Sequence, residues 1–358
     1  MKRDPKRIAP QSSRHTPCAL RNAARGEPAT ARPLGTNWRP ILPLFVSAFL
    51  VATGSVRGAP PVDGQGRPLI RKLGTVDVDK VENSPVVFRG KLYRCEWFRN
   101  AGCFHFVDCA SGRTTPQFAK GWCFANAFVD GDTVYVTGTR PGKEVQMWIS
   151  KDLEHWETRT ALDLPGFQIF NTSICKADGK YVLMFEIGEP KEQAGAPFTA
   201  RFATSADLKH WTVTPPECVY AKDRYTAPHC LRYLDGYYYD FYLESIRGGY
   251  EQFVVRSKDF IHWQSSPLNP VLKASDDDRK IRNPNLTAEQ RKRIAAAKNL
   301  NNSDMDFCEY QGRLVIFYSW GNQLGVEHLA EAVYDGTQAD FLRGWFPEKH
   351  PPSPTSGH

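Results

Sequence analysis

The sequence predicts an all-β chain, a five-bladed β-propeller with one helical insertion between blades 4 and 5. Two periodic marks carry that expectation. The first is the stretch Ser150-Lys-Asp152-Leu153-Glu-His155-Trp156, which returns as Ser205-Ala-Asp207-Leu208-Lys-His210-Trp211 and as Ser257-Lys-Asp259-Phe260-Ile-His262-Trp263. Its tryptophans stand 55 and then 52 residues apart, a spacing close to that of four-stranded propeller blades. The second is a set of tight turns at Arg89-Gly90, Asp130-Gly131, Asp178-Gly179, Asp235-Gly236 and Gln311-Gly312. Each is followed by an aromatic or β-branched run, as a hairpin with positive φ in its turn requires. Five turns give five blades.

The elements follow in order. Residues 1–58 form a basic leader with ten Lys/Arg against two Asp/Glu. The leader therefore carries a net +8, the whole chain +7 and the remainder about −1. The basicity belongs to the leader, so the domain has no nucleic-acid footprint by net charge. Inside the leader, Ile41 to Ala52 is an apolar run behind Arg32 and Arg39. That is an h-region of signal-peptide length, too short for a comfortable membrane span. The expectation is a secreted or periplasmic domain cleaved near 55–59. The long stretch before the run leaves two alternatives, an early start codon or an uncleaved anchor.

Residues 59–80 read as a linker and 81–346 as the propeller. Blade 1 covers about 82–120, blade 2 122–160, blade 3 168–215, blade 4 224–267 and blade 5 302–346. The interval 268–301 breaks the period. It contains a helix from Thr287 to Lys298, with Thr287 and Gln290 as a capping box and an alanine run that favours helix. An insertion of this length is expected over one mouth of the propeller. The Pro/Ser/Gly-rich tail after Pro347 reads as disordered. Eight cysteines follow the leader. Export would permit disulfides among Cys95, Cys103, Cys109 and Cys123, and the competing reading is buried free thiols. No Cys-x-x-Cys or His-rich spacing suggests zinc.

The repeated Asp, His and Trp read as structural. Three copies of one residue cannot share one site; Asp caps a turn and Trp fills the wedge between blades. Chemistry is expected instead where the first strands converge on the central channel. Eight positions before the turn glycines stand Glu82, Asn171, Pro228 and Asp304. Around them lie Asn83, Thr226, His229 and Asp306, with Asn126 in blade 2. Polar and acidic residues at strand starts break local propensity in several repeats at once, which marks function.

These strand starts and the repeated turn stretch resemble the five-bladed propeller glycoside hydrolases of families 43, 32, 62 and 117, over about residues 80–346. The resemblance implies a catalytic base at Glu82, ahead of Val86-Val87. It also implies a blade-4 frame of Glu-(Ala/Gly)-Pro-His with Glu as general acid. Here the frame reads Thr226-Ala227-Pro228-His229. Thr cannot protonate a leaving group, and glycoside hydrolysis normally uses two carboxyl groups. Three explanations compete: another carboxyl (Asp304, Asp306, Glu186 or Glu244) has taken over, His229 acts as the acid, or sugar is bound without cleavage. Glu189 and Glu309 read as surface charges.

The candidate catalytic residues are thus Glu82, Asp304, Asp306, His229 and Glu244. Asn83, Asn126, Asn171 and Glu186 are candidates for sugar hydroxyls, and Trp122 and Trp320 for stacking. Arg140 and Arg247 are candidates for a carboxylate or sulfate on an acidic sugar. No cofactor is required. The resemblance alone implies a possible channel calcium ion held by His229 and Asp304. The expected function is a secreted glycosidase acting on the ends of plant or algal oligo- or polysaccharides. The alternative is a non-catalytic carbohydrate-binding propeller, and a scaffold for protein partners is weaker.

Overall fold

A computed structural model describes residues 59–98, 101–140, 142–196, 198–246 and 248–348. The leader run at 41–52, the tail beyond 348 and Arg247 lie outside the described residues. No described helix is long and apolar enough to cross a membrane.

Among the described residues twenty strands form five blades, each antiparallel within itself. Blade 1 is β2 (Asn83–Phe88), β3 (Lys91–Phe98) and β4 (Cys103–Asp108). Blade 2 is β5 (Cys123–Asp130), β6 (Thr133–Thr139), β7 (Glu144–Ser150) and β8 (Glu157–Asp163). Blade 3 is β9 (Gln168–Ala177), β10 (Lys180–Glu189), β11 (Thr199–Ser205) and β12 (Thr212–Val213), with β13 (Val219–Tyr220) beside β11. Blade 4 is β14 (His229–Leu234), β15 (Tyr237–Ile246), β16 (Gly249–Ser257) and β17 (Trp263–Ser265). Blade 5 is β18 (Asn301–Tyr310), β19 (Arg313–Gly321) and β20 (Glu327–Tyr334).

The fourth strand of blade 5 comes from the other end of the domain. β1 (Arg71–Val78) pairs antiparallel with β20, from Arg71 opposite Val333 to Val78 opposite His328. The expected linker at 59–80 therefore contains the strand that closes the ring. Closure makes β1 the outer strand of blade 5 and covers β20.

Four hairpin turns place both central residues at positive φ: Arg89-Gly90, Asp178-Gly179, Asp235-Gly236 and Gln311-Gly312. This is the turn that matches strand twist. Blade 2 differs from the expectation by one residue. β5 runs through Asp130, and the turn is Gly131-Asp132 with only Gly131 at positive φ (61°).

The repeated stretch is a closed turn. Ser150 Oγ accepts the N–H groups of Asp152 and Leu153 at 3.1 and 2.9 Å. Asp152 Oδ1 accepts those of Glu154 and His155 at 2.9 and 2.8 Å, and Oδ2 holds His155 Nδ1 at 2.9 Å. Asp207 and Asp259 repeat the pattern. The turn puts Leu153, Leu208 and Phe260 at positive φ and buries all three. The tryptophan that follows fills a wedge. Trp156 stacks at 4.0 Å on Phe118, which follows β4 of blade 1, and Trp263 stacks at 5.9 Å on Phe202 of blade 3.

No such tryptophan serves the wedge between blades 4 and 5. The insertion fills it, with Leu272, Leu286, Ile294 and Ala297 packed beside Trp320 and Trp345. Its helix α1 (Ala288–Ala296) starts at the Thr287–Gln290 capping box. Asp278, fully buried, accepts from Lys72 Nζ (2.7 Å), Tyr318 Oη (2.7 Å) and Asn299 Nδ2 (2.7 Å). That network ties the insertion to β1 and β19. The insertion was expected over a mouth, yet residues 268–300 contribute nothing to the lining of the channel pocket.

The expected disulfides are not formed. Cys95, Cys103 and Cys109 are free thiols, so no pair exists within that cluster. Burial pushes the Cys109 thiol up to about 11 and the Cys175 thiol up to about 12, which leaves both protonated and unreactive at neutral pH.

Candidate active site

The first strands of the blades begin around one pocket. Blade 1 and the residue before it contribute Glu82, Asn83 and Ser84; blade 2, Ala125 and Asn126; blade 3, Asn171 and Thr172. Blade 4 contributes Pro228, His229 and Cys230, and blade 5 Asp304, Met305 and Asp306. Seven of the sequence candidates therefore converge: Glu82, Asn83, Asn126, Asn171, His229, Asp304 and Asp306.

Blades 2 and 5 shape this pocket with the same backbone device. In β5 the register slips between Cys123 and Asn126, and Phe124 takes φ 59°. In β18 it slips between Ser303 and Asp306, and Asp304 takes φ 51°. A bulge bends the strand and re-aims its side chains. The same bulge thus carries a ring in blade 2 and a carboxyl in blade 5.

A belt of cross-blade hydrogen bonds holds the floor. Asn126 donates to Ser84 Oγ (3.0 Å) and Asp306 Oδ2 (3.5 Å) and accepts from the Ile174 N–H (3.3 Å). Asp306 Oδ1 also accepts from the Arg232 guanidinium, from its neighbour Phe307 N–H at 2.7 Å and from Cys230 Sγ at 3.3 Å. Burial works against the Arg232 charge, but the Cys230 and Asp306 side chains beside it hold its pKa above the ordinary value. Asp306 is thus neutralised from beneath, which suits a positioning role better than proton transfer. Asp304 accepts from Ser319 Oγ at 3.2 Å and is only partly buried. Asn83 is buried with neither amide atom hydrogen-bonded.

His229 lines the pocket with its backbone. Its imidazole is fully enclosed, with Nδ1 2.9 Å from Asp240 Oδ2 and the ring stacked on Tyr242. Burial opposes protonation of the ring, yet Asp240, reinforced by Glu186 and the Phe198 carbonyl, lifts its pKa above the ordinary histidine value. Nε2 itself makes no hydrogen bond of proper geometry. The imidazole is turned away from the lining and committed to Asp240, so the structure does not present the His229 ring to the pocket as the acid that was expected there.

Glu186 is fully buried directly behind the lining. Its Oε2 accepts from Asn171 Nδ2 at 2.9 Å and its Oε1 from the His229 N–H at 3.1 Å. Burial pushes its pKa up to about 7, partly opposed by His229 and these hydrogen bonds.

The remaining candidates lie elsewhere. Glu244 is bound to Arg224 Nε (3.3 Å) and Tyr242 Oη (3.0 Å), away from the lining. Trp320 is fully buried and donates to Thr75 Oγ1 at 2.9 Å, so it is core and not a stacking platform. Trp122 packs edge-on to Trp148 and carries Arg140 on its face at 4.6 Å. Arg140 also pairs with Glu144, and neither Trp122 nor Arg140 lines the pocket.

The calcium expectation does not fit these side chains. The His229 ring is committed to Asp240 and Asp306 to Arg232. Among the described residues no group of three His, Cys, Asp or Glu is gathered for a metal.

Sequence reasoning missed an aromatic arc. Trp97, Phe124, Phe170, Phe198 and Tyr225 form a chain of ring contacts at 5.6, 6.0, 4.6 and 5.6 Å. Phe124 and Phe170 precede the lining residues Ala125 and Asn171, and Phe198 sits at φ 69°. Bulky residues avoid that region at a cost of about 1–2 kcal/mol each. Tyr225 adjoins Glu186 and Asp304: burial first, then these carboxyls, push its hydroxyl up. The only sequence signal was a single ring near each strand start, which does not stand out against 12% aromatics.

This is the five-bladed propeller fold of the glycoside hydrolases of families 43 and 62. Among solved structures, a thermostable family-43 glycoside hydrolase matches with a TM-score of 0.52 at 10% identity, over 72% of this chain and 90% of that one. The α-L-arabinofuranosidase of Podospora anserina, in complex with cellotriose, matches with a TM-score of 0.50 at 8% identity, over 77% and 93%. At these identities the likeness is one of fold. By sequence, no family model and no curated protein matches.

Proposed function

We propose that the chain is a secreted glycoside hydrolase acting on oligo- or polysaccharide ends. The observation that carries this reading is the convergence of Glu82 and Asp304 with the amides of Asn83, Asn126 and Asn171 in one channel pocket. Carboxyls beside amides suit sugar hydroxyls and the proton transfers of glycoside cleavage. Glu82 is the base, Asp304 orients the sugar, and Asp306, charge-balanced by Arg232, fixes Asn126. Secretion is supported by the basic leader with its apolar run.

A second reading has an observation of its own. Thr226 stands where the resembling hydrolases carry a carboxyl, and Glu186 and His229, which are bonded to each other in the wall beside it, are enclosed. A binding propeller without turnover would tolerate both. The test is hydrolysis of aryl glycosides and oligosaccharides by the purified domain beside Glu82→Gln. Arabinofuranosides head the panel because one similar structure is an arabinofuranosidase. Turnover that falls by roughly 10³-fold in the variant supports the enzyme. Sugar binding in both proteins with turnover in neither leaves the binding propeller.

A further inference from the structure

Behind the pocket wall, a carboxyl from another strand is bonded to the segment that carries Thr226. In blade 3, Phe185 pairs with Thr172 but Ile187 pairs with Ile169. Glu186 therefore faces two residues, Phe170 and Asn171, across a bulge. Bulges beside sites re-aim side chains, and this one delivers Glu186 against the segment Thr226–His229 of the next blade. There Oε1 takes the His229 N–H and Oε2 the Asn171 amide. The Thr226 hydroxyl, buried in the same segment, has no hydrogen-bond partner. Asn171 is both a donor to Glu186 and part of the pocket lining. Asn171 is thus bonded to the carboxyl on one side and lines the cavity on the other.

We infer that Glu186 is the proton donor of this site, supplied by the second strand of blade 3 in place of the carboxyl that position 226 lacks. The inference rests on the glycosidase reading above. A glycosidic oxygen that displaces the Asn171 amide meets the carboxyl. As the bond between that oxygen and the anomeric carbon breaks, the Glu186 proton passes to the oxygen and its carboxylate remains. Water adds to the carbon, and its proton passes to Glu82. Two sugar fragments leave, and exchange with solvent returns the proton from Glu82 to Glu186.

The groups facing Glu186 suit the role. His229, with Asp240 behind it, lies on blade 4, and Tyr225 lies on the segment entering that blade. Among the described residues no carboxylate is hydrogen-bonded to it, and burial holds its pKa near 7, where a donor works best at neutral pH.

The experiment compares wild type, Glu186→Gln and Glu186→Asp on glycosides of one sugar with leaving groups from dinitrophenol to an aliphatic alcohol. A missing acid matters in proportion to the basicity of the leaving group. Glu186→Gln is expected to lose on the order of 10³-fold on the alkyl glycoside and less than about 10-fold on the dinitrophenyl glycoside. The wild-type rate should fall above pH 7, and that limb should vanish in Glu186→Gln and return in Glu186→Asp. Melting curves check that all three proteins fold. Equal losses on both leaving groups, or an unchanged pH limb, overturn Glu186 as the donor and leave the glycosidase reading standing. A wild type inert on every glycoside overturns the glycosidase reading and the donor with it.

Discussion

The three outer turns and the inner strand starts of the same blades follow opposite rules. At Asp152, Asp207 and Asp259 the chain repeats one side-chain network, and the histidines of those turns are 86, 88 and 85% exposed. At the strand starts no one residue type runs through the blades. The positions are filled by Glu82, Asn126, Asn171, His229 and Asp304, each with different partners. Histidine shows the contrast best. The repeated ones cap turns in solvent, whereas His229, outside the repeat, is enclosed against Asp240. Repetition in this molecule marks what every blade needs in order to pack. Divergence at equivalent positions marks what only one pocket needs.

The contrast is tested most strongly at Asp304. Asparagine tolerates the left-handed backbone that Asp304 adopts, so Asp304→Asn removes charge and keeps the bulge. On any glycoside the wild type cleaves, kcat/KM is expected to fall by about 10²-fold or more, with melting shifted by less than about 2 °C. A large drop in melting temperature with activity kept would make the inner positions scaffold after all.

Glu186 gives the next effect, in stability. Unfolded, its carboxyl releases a proton near the ordinary 4.5; folded, it holds on to about 7. Between those values the folded state carries the extra proton, so this group's contribution to stability falls as pH rises. Glu186→Gln lacks that slope. Relative to wild type, the variant should gain roughly 3 kcal/mol of unfolding free energy between pH 4 and pH 8. Urea denaturation at a series of pH values reads it. His229 titrates in both proteins, so the difference curve reports chiefly on Glu186, and a flat curve would mean that its carboxyl is already ionised at low pH.

What could be read from the sequence divides along the same line. The turns and the hairpins were legible because the bonds that close them join residues at most three apart, as in Asp152 to His155. The capping box at Thr287 was legible for the same reason. Strand β1 was not: its partners in β20 lie about 260 residues away, and nothing local in Arg71–Val78 announces them. Glu82, Asn126, Asn171 and Asp304 were legible as a set because their polarity breaks strand propensity in register. Glu186 was visible as an acid in an apolar strand, but its contact with His229 depends on a bulge. Trp320 was misread because its place outside the repeat suggested a special role. In fact the insertion and Thr75 bury it.

A smaller effect belongs to the turn carboxylate. Asp259 Oδ1 caps the N–H groups of Ile261 and His262 at 2.9 and 2.8 Å. Asp259→Ala leaves both donors to water and should cost about 1 kcal/mol, the usual value of a lost cap, with activity unchanged. Loss of activity would mean that the turn communicates with the pocket.

The smallest effect isolates the histidine within the turn. In the second copy His210 Nδ1 meets Asp207 Oδ2 at 2.8 Å, while Asp207 Oδ1 separately caps the N–H groups of Lys209 and His210. His210→Ala deletes the ring but keeps both backbone bonds, since those belong to Asp207 and to the main chain. The lost pair is exposed, and exposed ion pairs contribute little. Melting should therefore move by about 1 °C or less, and turnover should not move at all. A shift of several degrees would show that the ring–carboxylate bond itself fixes the turn and sets the following Trp211 in its wedge. The repeated His would then be a structural requirement of the blade, not a tolerated surface residue.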